Sequence, residues 1–462
     1  MDRKAAGAQM SVGPRDPMAG HPLARTFCGP RDHVFLQDDR QTWTVDRLLA
    51  LAGDIAGAGS SGPTRVAIRS RSAAFIVASL AGLWKSRRHP LLLDPAMGDE
   101  ATGLGHLDPG TPTLVPAWEE PAAGEIAVAE TGGGGLEPSL PAAGDIILAF
   151  LTSGSTGEPK VVAKRDFQFQ KQYEVEPAWL GLAGPINTVS LVPFHHILGY
   201  IYGFYLPAAT GGAVTFLPGA SPQAWIDAVR RERPSLVVGV PLHYRLISQA
   251  LTELLPKAVY ISSGGSLPGG VSDGFCERAG WPIVQVFGST EAGGIATRIG
   301  SEPWRPMPGV VWKARPADGR LMIRSPWQDD PAIWHCQDDV VEPAGEGFGL
   351  LGRADSVVKV GGRRFSLAEA VQAALSWPSI DQAHAVPYDR YGETAVALFV
   401  VARRPLVLAS ADVRAYLAAR LAPFKVPRTI RVLDRLPSRG IGKVDELELR
   451  RMAASESEGP PS

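Results

Sequence analysis

Short β-rich runs alternate with helical patterns between Ile146 and Phe287. The runs read IILAFL, VSLV, AVTFL, LVVGV, AVYI and IVQVF, and the segments WIDAVRRER and HYRLISQALTEL lie between them. Alternation of this kind is typical of α/β proteins with a substantially parallel sheet. The sequence therefore predicts an α/β fold for most of the chain.

A second, smaller unit is predicted after Arg353. Ser366 and Glu369 have the spacing of a capping box at the start of LAEAVQAAL, which the strand AVALFVVA and the helix DVRAYLAARL follow. This mixture predicts an α+β domain near the C-terminal end of the sequence.

Four segments are expected along the chain. They are a disordered N-terminal segment at residues 1–30, a large N-terminal domain at 31–354, a small domain at 355–452 and a disordered tail at 453–462. The two terminal segments are polar or rich in Gly and Pro, and they lack the periodicity of a helix or strand. A length of 462 residues also favours more than one domain.

Composition argues against several classes of function. Lys and Arg number 46 against 47 for Asp and Glu, so no charge excess indicates nucleic acid as a partner. The cysteines form no CxxC pair, which argues against disulfides and a zinc site and fits a reducing cytoplasm. The sequence has neither an N-terminal apolar segment nor a run of about 18 apolar residues, so secretion and a membrane span are not expected.

The most informative motif is TSGSTGEPK, from Thr152 to Lys160, directly after IILAFL. Gly154 and Gly157 allow the backbone to approach a ligand, the hydroxyl side chains can donate hydrogen bonds, and Lys160 supplies a cation. These groups suit a polyphosphate, although a Gly/Ser/Thr cluster alone also fits a turn. The Walker A pattern does not match, because Val161 after the lysine supplies no hydroxyl for a metal.

The whole string resembles the phosphate loop of the adenylate-forming superfamily, which includes acyl-CoA synthetases, aryl-CoA ligases, peptide-synthetase adenylation domains and luciferases. Other motifs of that superfamily follow in its order. They are PFHHILG from Pro193, SGGS from Ser263, FGSTE from Phe287, the segment from Gly352 to Gly362, and the segment from Leu436 to Lys443. The resemblance implies a large multi-layer N-terminal domain with parallel-rich sheets and a small mobile C-terminal domain.

The resemblance also implies a site for ATP and Mg²⁺. Glu291 would hold the ion, Thr290 would bond the α-phosphate or the acid, and Lys160 would neutralise phosphate charge. The nucleotide-binding residues that it implies are Thr152, Ser153, Gly154, Ser155, Thr156, Gly157, Gly264, Gly265, Ser266, Phe287, Gly288, Ser289, Asp338 and Arg353. For the ribose contact, alignment from Arg353 favours Asp338, and Asp339 stays open because the family's Thr-Gly-Asp stretch is absent.

The small domain would adopt two poses, one for each half of the reaction. By resemblance, Lys443 bridges the substrate carboxylate and the α-phosphate during adenylation. Asp355 would be the hinge between the poses, and Gly361 and Gly362 would lie beside the channel for the thiol.

The implied acyl pocket contains His196, Ile197, Tyr200, Val240, Gly264 and Gly288. The segment FHHILGY carries no acid that could hold an amino group, so an amino acid is disfavoured and an aryl or aliphatic acid is favoured. The alternative for His196 is a packed core histidine. His195 and His196 are not expected to bind a metal, because adjacent residues on a strand point in opposite directions and no third ligand is spaced for them.

The implied reaction is the adenylation of a carboxylic acid by ATP with release of pyrophosphate, followed by transfer of the acyl group to a thiol. CoA and the phosphopantetheine of an acyl carrier protein are both open as acceptors. Two other functions also stay open. One is a homologue that binds nucleotide without catalysis, and the other is an enzyme that uses acyl-AMP without thioester transfer.

Overall fold

The structure is a computed structural model that describes residues 21–38, 41–58, 64–95, 111–122, 125–132, 135–152, 160–265, 267, 269–354, 356–360, 363–390, 393–403, 405–439 and 443–454. The chain divides into two compact units, residues 1–265 with 275–294, and residues 266–274 with 295–462. The hinge predicted at Asp355 lies outside the described residues, and the domain boundary there stays a prediction.

The first unit alternates strands and helices. Its strands are β1 (Val34–Gln37), β2 (Thr42–Thr44), β3 (Arg65–Arg69), β4 (His89–Leu93), β5 (Thr113–Pro116), β6 (Ile126–Val128), β7 (Ile146–Thr152), β8 (Lys160–Arg165), β9 (Thr188–Ser190), β10 (Val214–Phe216), β11 (Leu236–Gly239), β12 (Val259–Ser262) and β13 (Ile283–Ser289). Its helices are α1 (Ala24–Phe27), α2 (Val45–Ala58), α3 (Ala73–Lys85), α4 (Asp166–Trp179), a π-helix (Gly199–Tyr205), α5 (Leu206–Thr210), α6 (Pro222–Glu232) and α7 (Pro241–Ala250).

These strands form two parallel-rich sheets. The first has the order β6-β5-β3-β4-β7-β8, and its neighbours are parallel except for the antiparallel pair β7 and β8. In the second sheet the strands of this unit have the order β13-β12-β11-β9-β10-β1-β2, parallel except for β1 and β2. The predicted α/β fold with substantially parallel sheets is confirmed.

Continuous apolar runs explain the burial of this unit. Helix α3 is apolar on every side, and all its residues from Ala73 to Trp84 are buried. Ser72 begins the helix, since its hydroxyl accepts a hydrogen bond of 3.3 Å from the amide of Phe75. Strand β4 is buried from Pro90 to Leu93, as expected for a parallel strand that is covered on both faces.

Helix α8 (Gly269–Ala279) and strand β14 (Gly293–Ile299) each contain residues of both units. The other strands of the second unit are β15 (Arg305–Pro306), β16 (Val311–Ala314), β17 (Arg320–Arg324), β18 (His335–Ala344), β19 (Gly347–Arg353), β20 (Val357–Val360), β21 (Arg363–Ser366), β22 (Ile380–Arg390), β23 (Glu393–Ala402), β24 (Thr429–Leu433), β25 (Ser438–Arg439) and β26 (Lys443–Val444). Its helices are α9 (Leu367–Leu375), α10 (Ser410–Ala418), a 3-10 helix (Pro423–Lys425) and α11 (Glu446–Ala454).

The second unit contains an antiparallel sheet, β16-β17-β18-β19, and a mixed sheet, β22-β23-β24. Strand β23 is apolar at consecutive positions because it faces two cores. Leu398 packs in the core that also contains residues of α9 and α10, whereas Phe399 packs with Leu449 of α11. The hydroxyl of Ser366 accepts a hydrogen bond of 3.1 Å from the amide of Glu369, so this half of the predicted capping box is present. The α+β character predicted for this region is confirmed.

The disorder predicted for residues 1–30 is wrong for residues 21–30. Leu23 and Phe27 are 0% and 1% exposed, and the Thr26 hydroxyl donates a hydrogen bond of 2.9 Å to the Ala208 carbonyl. Apolar burial therefore holds this short segment, although its Gly and Pro content indicates a loop. Residues 1–20 and 455–462 lie outside the described residues. None of the described helices is both long and apolar enough to cross a membrane.

Candidate active site

Four predicted ligand-binding segments follow neighbouring strands of the second sheet of the first unit. PFHHILG follows β9, Val240 follows β11, SGGS follows β12, and FGSTE ends β13. The strands are parallel and adjacent in the order β13-β12-β11-β9, and their register pairs Gly239 with Ser262 and Ser262 with Gln285. The segments therefore meet at the carboxyl edge of one sheet, where α/β proteins bind ligands.

Close backbone packing shapes the FGSTE loop. A Cβ atom added at Gly288 would lie 2.3 Å from the Gly293 carbonyl oxygen, so only glycine fits at this position. The Ser289 hydroxyl accepts a hydrogen bond of 3.1 Å from the amide of Ala292. The chain therefore turns back tightly, and it leaves the side chain of Glu291 exposed.

Two buried polar side chains that lie outside the FGSTE motif form hydrogen bonds with the backbone of the same loop. Lys164 of β8 is 3% exposed, and its ammonium group donates a hydrogen bond of 2.8 Å to the Glu291 carbonyl. The Gln172 side-chain oxygen accepts a hydrogen bond of 3.3 Å from the amide of Gly294. Neither Lys164 nor Gln172 was identified from the sequence, because no motif marks a residue that acts on a loop more than 100 positions away.

A buried carboxyl group continues this network within helix α4. Glu176 is 0% exposed, and it accepts hydrogen bonds from Tyr202 and, at 2.8 Å, from the Gln172 amide. Burial raises the pKa of Glu176 to about 7, while the two hydrogen bonds act in the opposite direction. Gln172 therefore connects an ionisable buried group with the backbone of the FGSTE loop.

The ends of the predicted phosphate loop lie on the hairpin of β7 and β8. Thr152 pairs with Lys160, and the Thr152 hydroxyl donates a hydrogen bond of 3.2 Å to the Lys160 carbonyl. The predicted ligands between them, Ser153, Gly154, Ser155, Thr156 and Gly157, lie outside the described residues, as does Ser266.

The residues predicted for the acyl pocket differ in burial. A Cβ atom added at Gly264 would lie 3.9 Å from a methyl carbon of Val240, so these two positions are close. Tyr200 is 0% exposed and lies among aromatic rings, with centroids 4.9 Å from Phe169 and 5.3 Å from Phe204. Because Tyr200 is fully buried, the structure does not support its direct contact with an acid. Its role in the acyl pocket stays a prediction.

The structure overturns the reason given against a metal at His195 and His196. The two residues lie in a turn rather than on a strand, and their ring centroids are 4.5 Å apart. A Cβ atom added at Gly199 would lie 2.1 Å from the Pro193 carbonyl oxygen, which shows how tightly the turn closes. A third candidate ligand is also present, since Asp94 Oδ1 lies 3.5 Å from His195 Nε2.

Burial lowers the pKa of His195 to about 4, and His196 contributes in the same direction while Asp94 opposes it. Partial desolvation also lowers the pKa of His196, whose surface is still exposed, and Asp94 again opposes the shift. Both rings are therefore neutral near pH 7, and each then has one nitrogen that can accept a hydrogen bond or bind a metal.

Asp94, His195 and His196 line a cavity of about 1220 Å³ within the first unit. Its wall also contains the aromatic side chains of Trp43 and Trp118. Of the predicted acyl-pocket residues that the structure describes, His196 alone is part of this wall. Asp94 was missed in the sequence because it directly follows β4 of the other sheet, about 100 positions before the histidines.

In the second unit, Arg353 and Asp338 contact each other directly. The Arg353 guanidinium donates a hydrogen bond of 3.2 Å to Asp338 Oδ2, and Arg320 lies 3.5 Å from the other oxygen. Both side chains of the first pair are more than two-fifths exposed, at 49% and 42%. The choice between Asp338 and Asp339 as the ribose ligand stays a prediction.

The other predicted residues of this unit are described only in part. The backbone of Lys443 forms β26 and pairs with Arg439, but its side chain lies outside the described part of the chain. Gly361 and Gly362 also lie outside it. Their predicted roles, like that of Asp355, stay predictions.

Comparison with known proteins identifies the family. The chain matches the family model described as AMP-binding enzyme over residues 101–323 and the model of the AMP-binding enzyme C-terminal domain over residues 372–443. A probable 2-succinylbenzoate–CoA ligase from Mycobacterium tuberculosis is 30% identical over 348 residues, which cover 68% of this chain and 86% of that protein. The chain belongs to the AMP-binding enzyme family. This AMP-binding enzyme is also 27% identical to a feruloyl-CoA synthase from an Amycolatopsis species, over 68% of its own length and 71% of that protein.

Solved structures share the fold of this AMP-binding enzyme. ATP-bound MatB from Rhodopseudomonas palustris matches with a TM-score of 0.77 and 17% identity, over 95% of this chain and 99% of that one. O-succinylbenzoate coenzyme A synthetase from Bacillus subtilis, in complex with AMP, matches with a TM-score of 0.78 and 18% identity, over 93% of this chain and 97% of that one. At such identities the likeness concerns the fold.

Proposed function

We propose that this AMP-binding enzyme activates an aryl or aliphatic carboxylic acid with ATP and transfers the acyl group to a thiol. The observation that carries the proposal is the shared carboxyl edge of β13, β12, β11 and β9, which brings the four ligand-binding segments together. A carboxylate is a poor electrophile, and its attack on the α-phosphorus forms acyl-AMP with pyrophosphate as the leaving group. Most of the catalysis is then positioning and neutralisation of charge.

The residues at this edge have distinct roles in the proposal. Phe287 contacts the adenine, and Gly264 and Gly265 let the backbone approach it. Thr290 bonds the α-phosphate or the acid, while Lys160 neutralises charge on the phosphates. The tight FGSTE turn, with Gly288 at its centre, supports this assignment because it presents Thr290 and Glu291 from a fixed backbone.

A magnesium ion fits the donor chemistry of the site. The side chain of Glu291 is exposed, and a carboxylate oxygen together with phosphate oxygens and water is the set of ligands that Mg²⁺ prefers. When bound with ATP, the ion would supply charge neutralisation at the phosphates. Lys164 holds the Glu291 backbone, so it orients the carboxylate without being a metal ligand itself.

The second unit supplies the remaining groups. Arg353 and Asp338 are assigned to the ribose, and their mutual hydrogen bond supports a common role. Lys443 is assigned to the bridge between the carboxylate and the α-phosphate in adenylation. Rotation about Asp355 would then withdraw Lys443 and bring Gly361 and Gly362 to the thiol.

The named relatives support an aryl acid and CoA. They are named feruloyl-CoA synthase and probable 2-succinylbenzoate–CoA ligase, and one from Thauera aromatica is named as a ligase of hydroxybenzoates and CoA. An acyl carrier protein as the acceptor stays the competing possibility, because its phosphopantetheine carries the same thiol as CoA. A reducing cytoplasm is the proposed location.

Exchange of labelled pyrophosphate into ATP, measured across a panel of carboxylic acids, tests the first half-reaction. We expect exchange that requires both Mg²⁺ and an acid, with aryl or medium-chain acids ahead of amino acids. A preference for a zwitterionic amino acid would refute the assigned acid class. ATP binding without exchange for any acid would favour the non-catalytic homologue.

Acyl transfer is tested with the best acid in parallel reactions with CoA and with a pantetheinylated carrier protein. Formation of an acyl-CoA thioester is expected. If only the carrier protein were acylated, the acceptor would be the carrier protein rather than CoA. Accumulation of acyl-AMP with either thiol would instead favour an enzyme that uses the adenylate in another way.

A further inference from the structure

We propose that Asp94, His195 and His196 form a binding site for a divalent transition-metal ion of the Zn²⁺ type. The three side chains come from the ends of β4 and β9 in the two different sheets of the first unit. Each offers one ligand atom, and the three atoms all lie within 4.8 Å of one another. Such a set of two imidazoles and one carboxylate is a common set of protein ligands for zinc and related metals.

The distances match those around a bound ion. Ligand atoms at about 2.1 Å from a tetrahedral zinc ion lie about 3.4 Å apart. The separation of Asp94 Oδ1 from His195 Nε2 is 3.5 Å, already close to that value. A pair of ligand atoms at the upper limit of 4.8 Å would have to approach by about 1.4 Å to reach that value.

The hydrogen bonding of His195 is a second, independent observation in favour of the metal site. Its side chain is only 7% exposed, yet among the described residues its Nδ1 atom is buried without a hydrogen-bond partner. Its Nε2 atom is 3.5 Å from Asp94, which is longer than an ordinary N–H···O hydrogen bond. A metal bond through Nε2 would replace this long contact with Asp94, while Nδ1 would stay without a partner among the described residues.

The charges around the cavity permit a cation at this place. Three arginines line the cavity together with carboxylates that include Glu119 and Glu120. Two of these arginines, Arg69 and Arg47, form ion pairs with Glu125 and Glu130 respectively, and the third is Arg71. These arginines therefore add little net positive charge. All three ligand residues line this cavity, so the ion would bind at the cavity wall.

The ion would be distinct from the Mg²⁺ assigned to ATP. Mg²⁺ prefers an octahedral set of oxygens, whereas two of the three ligands here are nitrogens. Glu291, the residue assigned to Mg²⁺, is not part of the cluster. Metal selectivity therefore distinguishes the two sites in solution.

Equilibrium dialysis of metal-stripped protein without an affinity tag is the direct test. In the absence of ATP and acid, we expect one Zn²⁺ per chain, with binding that millimolar Mg²⁺ does not displace. Asp94→Asn and His195→Gln should each lower the affinity for Zn²⁺ at least about tenfold. His89→Gln is the matched control, since His89 begins the strand that Asp94 follows, and it should bind as the wild type does.

Cobalt absorption on the wild-type protein provides a test that needs no substitution. Co²⁺ at this site should give the visible bands of a four-coordinate ion without a thiolate band, because the cysteines Cys28, Cys276 and Cys336 are not part of the cluster. A thiolate band, a lack of stoichiometric binding, or binding that survives both substitutions in folded protein would overturn the site. None of these readouts depends on pyrophosphate exchange, so the proposed function is tested separately.

Discussion

The ammonium group of Lys164 donates a hydrogen bond of 2.8 Å to the backbone oxygen of Glu291. Lys164 comes from β8, the edge strand of the first sheet, and Glu291 follows β13 of the second sheet. One buried side chain thereby links the edge strand of the first sheet with the loop that follows β13 of the second. The loop that carries Thr290 and Glu291 is consequently held by an element outside its own motif.

Replacement of this lysine should reduce adenylation. Lys164→Met keeps much of the length but removes the donor, and hydrogen bonds from charged groups contribute about 1.5–3 kcal/mol. We expect pyrophosphate exchange to fall by roughly 10- to 100-fold if the loop position limits the reaction. Lys171→Met is the control, because Lys171 pairs with Glu174 on an exposed face. Unchanged exchange in folded Lys164→Met protein would contradict the positioning role.

A methyl group at Gly288 should disrupt the same loop. The Cβ atom would meet the Gly293 carbonyl at 2.3 Å, so Gly288→Ala must displace one of two backbone segments. We expect a loss of stability of about 1–3 kcal/mol, measured by urea unfolding, together with a larger fractional loss of exchange activity.

Gly57→Ala is the matched control for that substitution. Gly57 lies in helix α2, and a Cβ atom there would meet nothing within 4 Å apart from its chain neighbours and the backbone of its own helix. Alanine should therefore be neutral or stabilise the protein by up to about 1 kcal/mol. A Gly288→Ala protein that matched this control in stability and activity would show that the close backbone approach is dispensable.

Glu176 should make stability depend on pH. Its pKa is raised from the ordinary value of 4.5 to about 7, because burial disfavours the charged form. The protonated carboxyl group therefore contributes stability that is fully present below about pH 4.5 and is lost as the pH rises through about 7. Glu176→Gln cannot ionise, so its stability relative to the wild type should increase across this range by on the order of 3 kcal/mol.

Urea unfolding at a series of pH values measures the difference. Glu174→Gln is the control, because Glu174 lies on the same helix with an exposed carboxylate. That control should show no comparable trend with pH. A difference between Glu176→Gln and the wild type that did not change between pH 4.5 and 7 would mean that Glu176 keeps one charge state throughout.

The proposed two poses predict opposite defects. Lys443→Ala should abolish acyl-AMP formation yet still convert supplied acyl-AMP to thioester, and a cost of about 3–4 kcal/mol corresponds to roughly 10² to 10³ in rate. Asp355→Pro should impair the second step, because proline restricts the backbone at the hinge. Lys257→Ala, at an exposed position, is the control for loss of a lysine. Equal loss of both steps in folded Lys443→Ala protein would contradict confinement of the lysine to one pose.

Regular elements were predictable because their sequence signals are local. LAEAVQAAL coincides with α9, and the run IILAFL lies within β7. The runs LVVGV, AVYI and IVQVF likewise contain β11, β12 and β13 or most of each strand. A sequence of short apolar runs between helices favours parallel pairing, and the register of these strands confirms it.

Contacts between distant elements were not predictable in the same way. The contacts of Lys164 with Glu291, and of Asp94 with His195, depend on how the two sheets of the first unit pack against each other. The expectation that His195 and His196 point in opposite directions assumed that both lie on a strand. It was wrong because the chain forms a turn at these residues, after the end of β9. Hydrophobic patterns specify helices and strands, but they carry little information about the polar side chains that make contacts between two sheets.

The aromatic cluster around Tyr200 limits the substitutions that the fold can tolerate at this predicted acyl-pocket position. Truncation of a fully buried aromatic side chain costs about 3–5 kcal/mol, a large share of the 5–15 kcal/mol that a typical domain has in total. Truncation of Tyr200 would therefore lower the free energy of unfolding, and Tyr200 does not line the cavity that contains His196. Directed evolution at this position would first require a stabilised parent, whereas cavity-wall positions such as Trp118, which is 47% exposed, can vary at little cost to the fold.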